Sequence, residues 1–160
     1  MTIREENGWL IDDRGNRYSN EYWMAVPGYR GLYEVSTSGR VRSCDRVNIN
    51  RNGVRRVLRG KMLSLSCDSE GYAQVGLLRN GVEVKTRVHR IVGTAFIKNP
   101  QNLPIVDHRN RVRRDNRVLN LRWATFSQNR KNSSAVINPC RFFDTDEAAL
   151  ADMAKMAERG

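Results

Sequence analysis

The chain has 160 residues, 39% of them hydrophobic, and sets 28 Lys and Arg against 17 Asp and Glu for a net charge of +11. That length suits one domain or two small modules; no run approaches the roughly 20 apolar residues that cross a bilayer, and the polar opening MTIREENGW lacks the apolar centre of a secretory signal, so no membrane span and a cytoplasmic location are expected. Residues 51–135 hold 18 basic against 5 acidic residues, the footprint of a polyanion binder, while Cys44, Cys67 and Cys140, far apart and without a CxxC pair, offer neither a disulfide framework nor a zinc site.

Residues 1–20 read as a short hairpin or loose arm around the turn-rich DDRGNRYSN. From 22 onward aromatic and β-branched residues are punctuated by Pro27-Gly28, Gly31 and Ser38-Gly39, which predicts strands near 32–36 and 39–43 with a turn at Ser36 to Gly39. Asn52-Gly53 marks a second, basic hairpin, with Arg55, Arg56, Arg59 and Lys61 along its surface. The stretch GYAQVGLLRNGVEVKTRVHR alternates apolar and polar residues around Asn80-Gly81, the clearest hairpin in the chain.

The period then changes. Val88, Ile91, Val92, Ala95 and Phe96 form one stripe of an amphipathic helix that ends before Asn99-Pro100. Such a stripe belongs to the core and leaves His89 and Arg90 on its flanks. His89 is read as a polar residue at a helix start, with a phosphate contact as the second reading. Short strands are expected at 105–108 and near Leu121 to Ala124, and Thr125-Phe126-Ser127-Gln128 fits a capping box that opens another helix. In the tail, Thr145 is a plausible N-cap for a helix whose stripe includes Ala149, Leu150, Met153 and Met156.

The chemistry concentrates in IVDHRNRVRRDNR, residues 105–117. Asp107 and His108 stand side by side at the end of a strand, followed by five arginines in nine residues: Arg109, Arg111, Arg113, Arg114 and Arg117. Phosphodiester hydrolysis needs an activated water and a counter-charge for the transition state. An imidazole can take the water's proton, and a divalent cation held by hard oxygen donors, here Asp107 and the amide of Asn129, can supply the charge. Neighbouring strand residues point to opposite faces, so Asp107 and His108 share a site only where the strand ends or distorts.

VHRIVGTAFIKNP, followed by IVDH, DNRVLNLRW and FSQN, resembles the HNH homing endonucleases of phages and introns, and EYWMAVPGYRGLYEVSTSGRVRS is similar to the nuclease-associated modular domain that precedes such sites. The resemblance covers roughly residues 21–133. It implies an α+β fold: a small antiparallel β-hairpin module, a ββα-metal nuclease motif and a C-terminal helix. The division it implies is an N-terminal arm over 1–20, a modular DNA-binding domain over 21–66, a nuclease domain over 67–134 and a helical tail over 135–160.

Carried over residue by residue, the resemblance makes Asp107 and Asn129 ligands of Mg²⁺ or Mn²⁺, His108 the general base, Asn120 the structural Asn that ties the two strands of the motif, and Trp123 a core residue. The third motif position, Asn129 rather than His, matches the subgroup that nicks one strand, leaving a 5′-phosphate and a 3′-hydroxyl. The implied partner is double-stranded DNA, bound by a monomer encoded by a phage and acting in the host bacterial cytoplasm. Phosphate contacts are assigned to Arg55, Arg56, Arg59, Lys61, Arg87, Arg90, Arg109, Arg111, Arg113, Arg114, Arg117, Arg130 and Lys131. One departure stands out: where the family carries an Asp/Asn-Gly turn after the catalytic His, this chain has Asn110, Arg111 and Val112, so the loop must turn differently or Asn110 must take the positive-φ role. Two rival readings are a DNA-binding module that lost turnover and an RNA-binding structural protein; the latter leaves Asp107, His108 and Asn129 without a role.

Overall fold

The computed structural model describes residues 3–6, 9–12, 14–18 and 21–133. The helix expected in the tail lies outside the described residues. Three short antiparallel strands come first, β1 (Arg4–Glu6), β2 (Trp9–Ile11) and β3 (Arg17–Tyr18), more order than a loose arm would have. A second sheet follows, with β4 (Trp23–Ala25), β5 (Tyr33–Ser36) and β6 (Val41–Ser43) in sequence order. The turn expected at Ser36 to Gly39 closes β5 to β6, with Gly39 at φ +81°. Next come the basic hairpin β7 (Arg46–Ile49) and β8 (Arg55–Leu58), and a sheet of β9 (Ser66–Cys67), β10 (Ala73–Arg79) and β11 (Val82–Arg87). The Asn80-Gly81 turn behaves as its sequence demands, both residues taking positive φ at 53° and 80°, which matches the twist of the paired strands.

Helix α1 (Val88–Phe96) buries Val88, Ile91, Val92 and Phe96 as the stripe requires. It stops where Ile97 turns extended and closes the last turn onto the Gly93 carbonyl. Strands β12 (Ile105–His108) and β13 (Leu121–Ala124) pair antiparallel, joined by a long loop and a 3₁₀ turn at Val118–Asn120. Helix α2 (Phe126–Asn132) opens with the expected capping box, Thr125 Oγ1 accepting from the Gln128 amide at 3.2 Å and Gln128 Oε1 accepting from the Thr125 amide at 2.9 Å.

One apolar core joins these pieces. Val35 and Val41 of the second sheet, Val75 and Leu77 of β10, Val88, Val92 and Phe96 of α1, and Val106 and Leu121 of the last hairpin form a single cluster. The Tyr33 hydroxyl, accepting from the Leu78 amide at 3.0 Å, stitches β5 to β10. Trp123 is half-buried at the edge of the core, donating from Nε1 to the Ile97 carbonyl at 3.0 Å. Helix α1 therefore sits between the two halves of the chain, with β12 laid across it. Gly93 makes that crossing close: a Cβ there would stand 2.7 Å from Val106 Cγ2.

Candidate active site

Antiparallel pairing sets Asp107 directly opposite Arg122 and His108 opposite Leu121, at the last two positions of β12. Both side chains are buried, at 6% and 5% exposure, yet both line one small open pocket with Tyr72, Arg111, Arg113, Asn129 and Asn132. The end of the strand thus resolves the conflict between alternation and a shared site.

Asp107 is tightly held. Arg122 donates to its Oδ2 from Nε at 3.0 Å and Nη2 at 2.8 Å, and Asn132 Nδ2 reaches both carboxylate oxygens at 3.1 Å and the His108 carbonyl at 2.8 Å. Asn132 in turn accepts from Arg111 Nε at 3.2 Å. These contacts crowd Oδ2 and leave Oδ1 with Asn132 alone among the described residues. The Asn129 side chain has no hydrogen bond among the described residues, so its amide oxygen remains available on the same pocket wall. A carboxylate and an amide are hard oxygen donors that suit Mg²⁺ or Mn²⁺. No group of three His, Cys, Asp or Glu that could hold a metal ion gathers among the described residues.

His108 lies in an aromatic and imidazole cluster. Its ring centroid is 6.0 Å from that of Tyr72 and 5.0 Å from that of His89, and Nε2 lies 3.2 Å from Asn116 Oδ1. Burial lowers its pKa, outweighing the opposite pull of the Asn116 contact and of Asp115 and Asp107, so the ring is neutral at pH 7 and able to accept a proton. His89 departs from the flanking position expected of it. It is buried at 4% exposure against His108 and Tyr72, and burial, reinforced by the neighbouring His108 and the Arg87 and Arg90 charges, pushes its pKa down to about 3. A phosphate contact by His89 is therefore replaced by packing of its ring between those of Tyr72 and His108.

The loop after His108 also differs from expectation. The positive φ falls on Arg111, at 65°, not on Asn110. Asn110 instead braces the turn, its Oδ1 accepting from the Val112 amide at 2.9 Å and from Asn120 Nδ2 at 2.9 Å. Asn120 ties this loop rather than the two strands: its Oδ1 accepts from the Asn110 amide at 3.0 Å, and its Nδ2 also donates to the Asp115 carbonyl at 2.8 Å.

The basic residues fall into distinct settings. Arg117 grips Asp115 with Nε and Nη2, both at 2.8 Å, and although burial alone would raise the Asp115 pKa, that guanidinium holds it below its ordinary value. Arg87 is paired with Asp68 and Glu70, and Arg59 with Asp45. Arg113 stacks over Tyr72 at 4.8 Å and donates to the Glu70 carbonyl, which turns it along the pocket rim. Arg114 is half-buried, while Arg55, Arg56, Lys61, Arg90, Arg109, Arg130 and Lys131 are exposed. Val47, Ile49, Val54 and Val57 are exposed beside Arg55 and Arg56 on the β7–β8 hairpin.

Sequence reasoning missed Arg122, Asn132, Asn116 and the inward position of His89. Arg122 had a signal, since aligning the two strands sets it opposite Asp107; Asn132 had a weaker one, three residues beyond Asn129 and so on the same helix face.

Comparison with known proteins fits this arrangement. The NUMOD4 motif matches residues 21–77 and the HNH endonuclease family matches residues 86–131. DNA endonuclease I-HmuI of a Bacillus phage is 31% identical over 110 residues, covering 69% of this chain and 56% of that protein. An uncharacterised HNH endonuclease of Acanthamoeba polyphaga mimivirus is 36% identical over 127 residues, covering 79% of this chain and 34% of its own length. The chain thus spans about half the length, or less, of these curated relatives. A solved structure of the HNH homing endonuclease I-HmuI, described for its DNA binding and cleavage, superposes with a TM-score of 0.56 at 28% identity, covering 86% of this chain and 68% of that one.

Proposed function

This chain belongs to the HNH endonuclease family, with a NUMOD4 motif ahead of the nuclease motif, and from that premise we propose that it is a divalent-metal-dependent DNA endonuclease that nicks one strand of a duplex. The observation that carries the reading is the convergence of a buried, neutral His108, the braced carboxylate of Asp107 and the unengaged amide of Asn129 on one pocket. His108 takes a proton from water as the water oxygen bonds to phosphorus and the bond from phosphorus to O3′ breaks. The phosphate stays on the 5′ side, and O3′ leaves with a proton from solvent. Asp107 and Asn129 would hold Mg²⁺ or Mn²⁺, which when bound supplies Lewis-acid charge against the growing negative charge. Arg122 and Asn132 keep the Asp107 carboxylate oriented toward the pocket, while Arg111 and Arg113 on the rim suit the scissile strand's phosphates.

The chain is read as a monomer on double-stranded DNA, with the β7–β8 hairpin as a second contact. A two-stranded ribbon fits a major groove about 12 Å wide, and its exposed Val47, Ile49 and Val57 gain a partner there. The departure at Arg111 and Val112 does not favour an inactive module, because Arg111 adopts the required left-handed conformation and Asn110 and Asn120 keep the loop closed. The test is incubation of supercoiled plasmid with Mg²⁺ or Mn²⁺, with EDTA and His108→Ala controls. Nicked circles from the wild type alone are expected; bound but uncut DNA across metals and substrates would reject the nuclease reading.

A further inference from the structure

A neutral imidazole has two tautomers, and only one leaves a lone pair on the nitrogen that faces a substrate. In His108, Nε2 lies 3.2 Å from Asn116 Oδ1. Asn116 is itself buried, at 4% exposure, and its amide is oriented by a second bond, Nδ2 donating to the Arg114 carbonyl at 3.1 Å. An amide whose nitrogen faces a carbonyl presents its oxygen on the other side, and that oxygen only accepts. The hydrogen of a neutral His108 ring must then sit on Nε2. Nδ1 keeps the lone pair and makes no hydrogen bond among the described residues.

Asn116 is backed from the N-terminal half of the chain. The Val118 amide donates to the Thr37 carbonyl at 2.8 Å, and Gly39, at φ +81°, lies so close that a Cβ there would stand 2.7 Å from Asn116 Cβ. The turn between β5 and β6 therefore rests on the residue that touches the histidine.

We propose that Asn116 is a positioning residue that fixes His108 in its Nε2–H tautomer, with the Thr37–Gly39 turn as its support, so that the NUMOD4 segment helps to build the nuclease centre as well as preceding it. The inference rests on the reading of His108 as the base. Nδ1 is then the atom that takes the proton from water, and the bond from Nε2–H to Asn116 strengthens as the ring becomes positive.

The chain contains two histidines, so ¹⁵N-histidine NMR of the full chain, assigned with His108→Ala and recorded without divalent metal at about pH 8, above the ordinary histidine range, reads the tautomer directly. The wild type should show His108 as Nε2–H. Asn116→Leu, which removes the acceptor, should shift the ring toward Nδ1–H and slow plasmid nicking by about a hundredfold. Asn116→Asp keeps an acceptor and should keep Nε2–H, with nicking within about tenfold of wild type. A wild-type Nδ1–H ring, or an unchanged tautomer in Asn116→Leu, would overturn the proposal; if that variant does not fold, the wild-type and Asn116→Asp spectra still decide. An Nε2–H ring in a chain that cuts no DNA would reject the nuclease reading and leave the assignment standing, whereas an Nδ1–H ring in an active nuclease would reject the assignment alone.

Discussion

Gly93→Ala probes how helix α1 positions strand β12. Taken alone, Ala is favoured over Gly in a helix by about 1 kcal/mol. Here the new Cβ would meet Val106 Cγ2 at 2.7 Å and Cγ1 at 3.1 Å, and a β-branched side chain on a paired strand has little freedom to turn away. Overpacking of this kind costs about 2 kcal/mol, so the net effect is a loss of about 1 kcal/mol. Val106 immediately precedes Asp107, and a shift of a few tenths of an ångström in β12 should slow cleavage by about tenfold. Urea unfolding of a double-mutant cycle with Val106→Ala isolates the contact: once the valine methyls are gone, Gly93→Ala should stabilise by its helical preference, a coupling of about 2 kcal/mol. A stabilising Gly93→Ala in the wild-type background, or additive effects, would refute the close α1–β12 crossing as the cause.

Asn120→Ala removes side-chain bonds to Asn110 and Asp115 and should cost about 2–3 kcal/mol in urea unfolding while loosening the loop that follows His108; a loss below about 1 kcal/mol would show that the loop is held by other means. His89 has a folded-state pKa of about 3 against an ordinary 6.5, so between these values the unfolded chain binds a proton that the native state refuses. Its contribution to stability is whole above the unfolded value and is lost as pH falls through that window, by at most about 1.4 kcal/mol per pH unit. His108, also lowered, adds in the same direction, so His89→Gln should reduce the acid slope without abolishing it, and an unchanged slope would remove His89 from the titration. Arg55 and Arg56 are adjacent on β8 and point to opposite faces, so replacing both with Ala should reduce the log–log salt slope of DNA binding by about 0.9, one contact rather than two. No change would take the hairpin out of the interface.

Features set by neighbours in sequence were the ones legible without coordinates. The Asn80-Gly81 turn, the stripe of α1 and the Thr125 capping box each depend on a few adjacent residues, and each forms where expected. Asp107, His108 and Asn129 were also legible, because a strand end followed by a strand and a capped helix brings them to one pocket. What surrounds them was not. The inward face of His89 depends on the packing of Tyr72 and His108 against it, Arg111's positive φ accompanies the bonds that Asn110 and Asn120 make across the loop, and Asn116, which touches His108, packs against a turn nearly 80 residues earlier in the chain.

The most direct test of the central claim separates binding from chemistry at the pocket. Wild type, Asp107→Ala, His108→Ala and Asn129→Ala would be compared on one duplex that the wild type cleaves, measuring affinity with EDTA present and single-turnover cleavage with Mg²⁺ or Mn²⁺. Affinity should stay within about threefold for all three variants, while cleavage falls by at least about a hundredfold for each. Cleavage by His108→Ala at the wild-type rate, or a parallel loss of binding and cleavage in all three, would contradict a catalytic role for this pocket.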